Sequence, residues 1–298
     1  MTCNLTLGPI LFHWPAENKL DFYSRIADEA PIDTVYLGEV ICSKRAPFFE
    51  QHYSAVVERL ERGGKKVVFS SLCEVVLKRE RKAIEEFCSF GSHEIEINNS
   101  SALLHIDGRP HRIGPMMNIY NEETMAHLAS RGASHFVLPV ELPRASTEIL
   151  VARGRELGTG IEIQVFGRAS LAVSARCYHA RAHGRTKDNC QFVCEEDLDG
   201  MPLRTLEGKP FLAINGIQTL SQTYLNYITE FQELITAGIT DFRLSPHTCD
   251  MVLVAENFKA VLDGRKDPAE ADAALTLMMG DSAFSNGFWY GRPGHLRV

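Results

Sequence analysis

Several features are missing from this sequence of 298 residues, and each absence narrows what the chain can be. No window approaches the roughly 18 uninterrupted apolar residues of a membrane-spanning helix. Basic excess is missing too: Lys and Arg total 31 against 38 Asp and Glu, a formal net charge of −7. That balance disfavours a nucleic-acid binder, which carries its positive charge on one face. The opening segment MTCNLTLGPILFHWPAENK has no basic stretch followed by an apolar core, so it reads as a folded strand and not as a signal peptide. There is no G-x-S-x-G elbow, no Walker loop and no G-x-G-x-x-G after the first strand. His93-Glu94 is not followed by a histidine at the zinc-protease spacing. Low-complexity linkers and internal repeats are absent. What remains is 45% hydrophobic and 23% charged, the composition of a globular enzyme with a large core.

Cysteine, by contrast, is plentiful. Eight cysteines without a secretion signal imply a reducing, cytoplasmic setting in which thiols stay free for metals. Cys3, Cys73, Cys88 and Cys249 are isolated and read as small buried hydrophobes. The other four form a pattern: Cys42 stands alone, and Cys177, Cys190 and Cys194 follow as C-x12-C-x3-C. Thiolates converging from distant sequence suit an iron–sulfur cluster or a structural zinc. The spacing is not that of a common zinc ribbon, which favours iron–sulfur. Lys44, Arg45, Arg168, Arg176, Arg181, Arg185 and Lys187 flank the four and could offset the charge of such a cluster or simply form a solvated loop face. His179 and His183 are surplus to a four-cysteine set and are assigned surface or hydrogen-bonding roles.

Short β-branched and aliphatic runs alternate with stretches of helical period about every thirty residues. Strands are expected at 6–10, 34–37, 66–70, 94–97, 113–118, 135–138, 161–166 and 242–244. Helix punctuation includes Pro15, Gly63-Gly64, and Asn121 followed by Glu122 and Glu123. Phe48, Val56, Val57 and Leu60 share the period of a buried helix face. Eight strands each followed by a helix describe an α/β fold, a (β/α)8 TIM-like barrel, with a doubly wound sheet as the alternative. Residues 1–298 form a single barrel domain. Within it, residues 168–240 make a cysteine-bearing insertion after the seventh strand, with a short strand at 211–214 and a helix from Leu220 to about Thr236. Cys42 follows the second strand and the trio follows the seventh, so both lie on the rim where barrels place their chemistry. In the tail, Phe288, Trp289 and Tyr290 are expected to fold back onto the barrel base, with an interface role as the alternative.

Polar residues close several strands: Glu39, Asn98-Asn99, Asn118 with Tyr120-Asn121, Glu141, and Ser245-Pro246-His247. Glu39 and Glu141 are the catalytic candidates, because carboxylates at a barrel mouth can transfer protons. Asn215-Gly216 and Gln218 read equally well as turn residues.

The segments VYLGEVICSKR, GPMMNIYN, LPVELPR, SLAVSARCYHARAHGRTKDNC, LAINGIQTLS and FRLSP together resemble the U32 peptidase-like family, nearest to its ubiquinone-biosynthesis branch. The resemblance covers nearly the whole chain. It implies a [4Fe–4S] cluster on Cys42, Cys177, Cys190 and Cys194. It also implies a heterodimer with a UbiU-like paralogous subunit that hydroxylates the aromatic ring of ubiquinone precursors without oxygen, prephenate being the hydroxyl donor. It assigns no acid or base. A cluster held wholly by cysteine has no open iron position and suits electron transfer or structural support. The alternatives are a stabilising partner with a structural cluster and an atypical U32 peptidase. The substrate could reach a chain without a transmembrane segment through a lipid carrier.

Overall fold

The computed structural model describes residues 3–89 and 91–298. Eight parallel strands close on themselves: β1 (Asn4–Leu7), β2 (Thr34–Leu37), β3 (Lys66–Ser70), β4 (Glu94–Ile97), β5 (His111–Ile113), β6 (Ala133–Val137), β7 (Gly160–Val173) and, joining β7 to β1, Asp241–Leu244. The helices on the outside are α1 (Ala16–Asp28), α2 (Tyr53–Arg62), α3 (Lys78–Ser89), α4 (Glu122–Ser130) and α5 (Arg144–Leu157). The fold is a (β/α)8 barrel. Alternation is broken after β4, where a 3-10 turn, Ser100–Leu104, replaces a helix. The punctuation behaves as its chemistry requires. Pro15 precedes α1, Gly63 ends α2, and the Asn121 side chain accepts a bond from the Thr124 amide. Val56 and Leu60 are buried on α2, whereas Phe48 precedes the helix in a 3-10 turn and is exposed.

The seventh strand runs beyond its expected end at residue 166, as far as Val173. Its extension leaves the barrel and pairs with an antiparallel arm. Following α6 (Tyr178–Ala182), that arm consists of β8 (Met201–Arg204), β9 (Pro210–Asn215) and β10 (Gln218–Asn226). The expected helix from Leu220 is therefore a strand up to Asn226, and only α7 (Phe231–Ala237) is helical. β11 (Asp241–Leu244) then closes the barrel, followed by α8 (Met251–Leu262), α9 (Pro268–Met279) and β12 (Phe284–Ser285), which pairs with β10. The tail does fold back. Trp289 is buried and its carbonyl accepts from the Arg144 amide, so it packs where α5 begins, beside the rim and not at the base.

Inside the barrel every strand contributes a buried polar side chain: Thr6, Tyr36, Ser70, Glu96, Arg112, His135, Glu162 and Arg243. Glu162 is fully buried and accepts from Thr6 Oγ1 (2.6 Å), Tyr36 Oη (2.6 Å), His135 Nε2 (3.0 Å) and Arg243 Nε (2.7 Å). Glu96 accepts from Ser70 Oγ (2.9 Å), Asn98 Nδ2 (3.1 Å) and Arg243 Nη2 (2.5 Å). Arg243 thus clamps two carboxylates on different strands, and Tyr36 lies under its guanidinium at 3.9 Å. Burial alone would push the Glu162 carboxyl up. Arg243 and His135 outweigh it and hold the group well below the usual range. Buried charges survive only when paired and hydrogen-bonded, and this network meets both conditions.

Candidate metal centre and barrel mouth

The loop after β2 carries Cys42 on a tightly determined path. Gly38 adopts φ +130°, and a β-carbon there would collide with the Ser70 carbonyl. Glu39 Oε1 then accepts from the amides of Ile41 and Cys42, both at 3.0 Å, and folds the loop over its own carboxylate. The neighbouring open space for Glu39 is a groove beside Tyr53 and Phe87, not the barrel mouth. As placed, this catalytic candidate shapes the Cys42 loop.

The trio is delivered by the segment after β7. Cys177 caps α6, with the Ala180 amide 3.4 Å from its sulfur. Between Cys190 and Cys194 the chain turns through Gln191 and Phe192 at φ 48° and 54°. Two consecutive left-handed non-glycine residues are a costly conformation, retained where a chain must double back within a few residues.

Cys42, Cys177, Cys190 and Cys194 all line one small cavity of about 20 Å³. Among the described residues, no three His, Cys, Asp or Glu side chains are drawn together as a ready single-ion site. Four thiolates on one zinc, at about 2.3 Å each, would stand within about 4 Å of one another. A multi-iron cluster would spread its thiolates around a larger inorganic core, and four cysteines lining one cavity are the donor set such a group takes.

The surroundings are cationic, but only partly in the way the sequence suggests. Lys44 Nζ lies 3.6 Å from Cys190 Sγ and donates to the carbonyls of Lys187 and Asp188. Lys187 lines the cavity and pairs with Glu74 at 2.5 Å. Arg185 donates to the Cys190 carbonyl (3.2 Å), and Arg45 is buried against the cysteines. Arg176 and Arg181 point to solvent, and Arg168 is spent on Asp199, Ser221 and Gln222 carbonyls over the Tyr224 ring. Burial pushes the Cys42 and Cys194 thiols up, and Arg45 opposes it at both. His179, expected at the surface or in a hydrogen-bonding role, is wholly buried and lines the cavity, its Nε2 3.0 Å from Asp197 and its ring stacked on His183.

A second cavity, about 270 Å³, occupies the barrel mouth. Arg243 and Glu96 of the interior network reach it from below, and Asn98, Gln164 and Ser245 add polar groups. Glu141 stands at its rim, accepting from the Tyr120 hydroxyl. The apolar part of its walls is Pro9, Leu11, Val40, Met116, Pro139 and Val140. Leu11, Val40, Cys73 and Met116 belong equally to the small apolar cluster that packs around Cys42, Cys177 and Cys190. One packed apolar cluster therefore lies between the mouth and the cysteines. The interior network behind it went unread in the sequence. Its signal was there, in charged residues recurring inside otherwise apolar strands such as EIEI and IEIQ.

The sequence profile of peptidase family U32 matches residues 23–297. The chain belongs to this family. Among solved structures, it is similar to phospho-2-dehydro-3-deoxyheptonate aldolase from Thermotoga maritima, with 11% identity, a TM-score of 0.42, and 94% of this chain covering 71% of that one. It is also similar to the spore cortex-lytic enzyme SleL of Bacillus megaterium, with 8% identity, a TM-score of 0.34, and 89% of this chain covering 74% of that one. No helix among the described residues is long and apolar enough to cross a membrane.

Proposed function

We propose that this U32-family chain is a UbiV-like iron–sulfur subunit, holding a [4Fe–4S] cluster on Cys42, Cys177, Cys190 and Cys194. Together with a UbiU-like paralogous subunit it hydroxylates the aromatic ring of ubiquinone precursors without oxygen, prephenate serving as hydroxyl donor. The observation that carries the reading is the meeting of four cysteines from two remote loops on one cavity, joined to the barrel mouth by one apolar cluster. When bound, the cluster supplies a one-electron relay. The chain's own residues do the rest. Glu39 and the α6 cap fix the cysteine loops, and Leu11, Val40 and Met116 keep bulk water away from the relay side of the mouth. Apolar walls suit a ring, and Arg243, Asn98 and Gln164 offer polar contacts to its substituents.

The family name raises peptidase chemistry, and the mouth offers poor support for it. Among the described residues no histidine lines that cavity. Its one cysteine, Cys73, is pushed by burial up to about 12, where the thiolate is scarce at neutral pH.

Metal analysis of protein purified without oxygen tests the reading. About four irons with matching acid-labile sulfide per chain are expected, and a single zinc would end the relay account. Cys190→Ala should abolish both the broad visible absorbance and anaerobic ubiquinone formation in cells. Ubiquinone formation that persists in that variant would defeat the relay.

A further inference from the structure

Arg45 presents a charge problem. Its side chain is among the most completely buried in the protein, at 2% exposure, yet it forms no salt bridge with any carboxylate among the described residues. Nη2 donates to Asn215 Oδ1 (2.7 Å), Nη1 to the Leu11 carbonyl (3.2 Å), and Nε takes no hydrogen-bond partner. All these contacts are neutral. Stranding a guanidinium in a dry interior is expensive unless an anion offsets it. What Arg45 does face is the cysteine cavity, which it lines with all four cysteines, and Cys194, the Glu39 carboxylate beyond ion-pair distance and Cys42 each favour its charged form.

Its position is enforced from the far side. Asn215, itself fully buried, spends its amide on the Cys194 and Asp197 carbonyls, so its oxygen can turn only toward Arg45. Gly216 follows at φ +63°, and a β-carbon there would strike Arg45 Nη2. The β9–β10 turn is thus shaped to seat one guanidinium against the thiols.

We propose that Arg45 is the buried counter-cation of the cluster and raises its reduction potential, with Asn215 as its positioning residue; this rests on the cluster assignment above. Four thiolates around a [4Fe–4S]2+ core carry about −2 in total, and one-electron reduction makes it about −3. A fixed positive charge favours the more negative state, so removing it must lower the potential.

The test compares anaerobically reconstituted full-length wild type, Arg45→Gln and Arg45→Lys, measuring iron and sulfide first and the midpoint by EPR-monitored titration second. Arg45→Gln should disfavour reduction at least tenfold, a downward shift of about 59 mV or more for a one-electron couple, with Arg45→Lys remaining near wild type. Loss of iron from Arg45→Gln alone, with Arg45→Lys loaded, equally supports a counter-charge. An unshifted midpoint in a loaded Arg45→Gln overturns the proposal, as does loss of iron from both variants, which would make the role one of shape. Wild type that takes up no iron sinks the cluster itself, and the metal analysis reveals that before any potential is read.

Discussion

At the scale of single residues, the barrel interior shows how charge can be stored in a core. Glu162 has no exposure and four donors, and Arg243 answers it and Glu96 at once. Removing one member of such a network leaves its partner buried and unmatched, which costs about 3–5 kcal/mol. Glu162→Gln is expected to lose stability of that order in urea unfolding at neutral pH. The pH dependence follows from the same bonds. Because the folded carboxyl titrates below its ordinary value, the unfolded chain takes up the proton first. The contribution is therefore complete above about pH 4.3 and disappears as pH falls through the depressed folded value. Glu162→Gln should flatten that acid limb, and an unchanged limb would show that other carboxylates govern it.

Among the elements, what could be read in advance depended on how regular each one is. Six barrel strands were legible in place because short aliphatic runs bounded by turn residues have few other solutions. The first, expected at 6–10, is Asn4–Leu7, and the fifth, expected at 113–118, is His111–Ile113, the run after it being a 3-10 turn opened by Pro115. β10 was not legible. Its register slips between Thr219 and Leu220 and again before Tyr224, so strict alternation is lost. The apolar residues Leu220, Tyr224, Tyr227, Ile228 and Phe231 then fall at helical intervals. Convergence of Cys42 with the trio followed from rim topology, and the structure brings the four to one cavity. Arg45 could be noted only as one cation among several, since nothing local distinguishes it from the solvent-facing Arg176 and Arg181. Its partner Asn215 lies 170 positions away. Glu39 looked catalytic because a carboxylate at a strand end has the same signature whether it meets a substrate or its own loop's amides. That loop yields a prediction for the element as a whole. Gly38→Ala puts a β-carbon into the Ser70 carbonyl at a backbone angle few residues tolerate, at roughly 1–3 kcal/mol. The β2 exit should shift and carry Cys42 with it. Iron per chain after anaerobic reconstitution is expected to fall, while far-ultraviolet circular dichroism stays that of a folded barrel.

The whole molecule divides its rim into two compartments joined by one apolar cluster. Extension of β7 past the barrel makes this possible, because it carries the antiparallel arm and the cysteine trio over to the side where β2 ends. The mouth remains open on the opposite side, under Pro139, Val140 and Glu141 at the exit of β6. If the mouth receives the ring and the cysteine cavity only relays electrons, the two can be disabled separately. Val140 is half-buried, lines the mouth and is absent from the residues packed around the cysteines. Val140→Trp should fill much of the space a ring would need. Iron, sulfide and midpoint are expected to match wild type, while anaerobic ubiquinone formation in cells drops at least tenfold. Undiminished ubiquinone with a filled mouth would move the substrate site off this chain and onto its partner. A cluster lost along with activity would instead mean that the intervening apolar residues transmit packing changes from one compartment to the other.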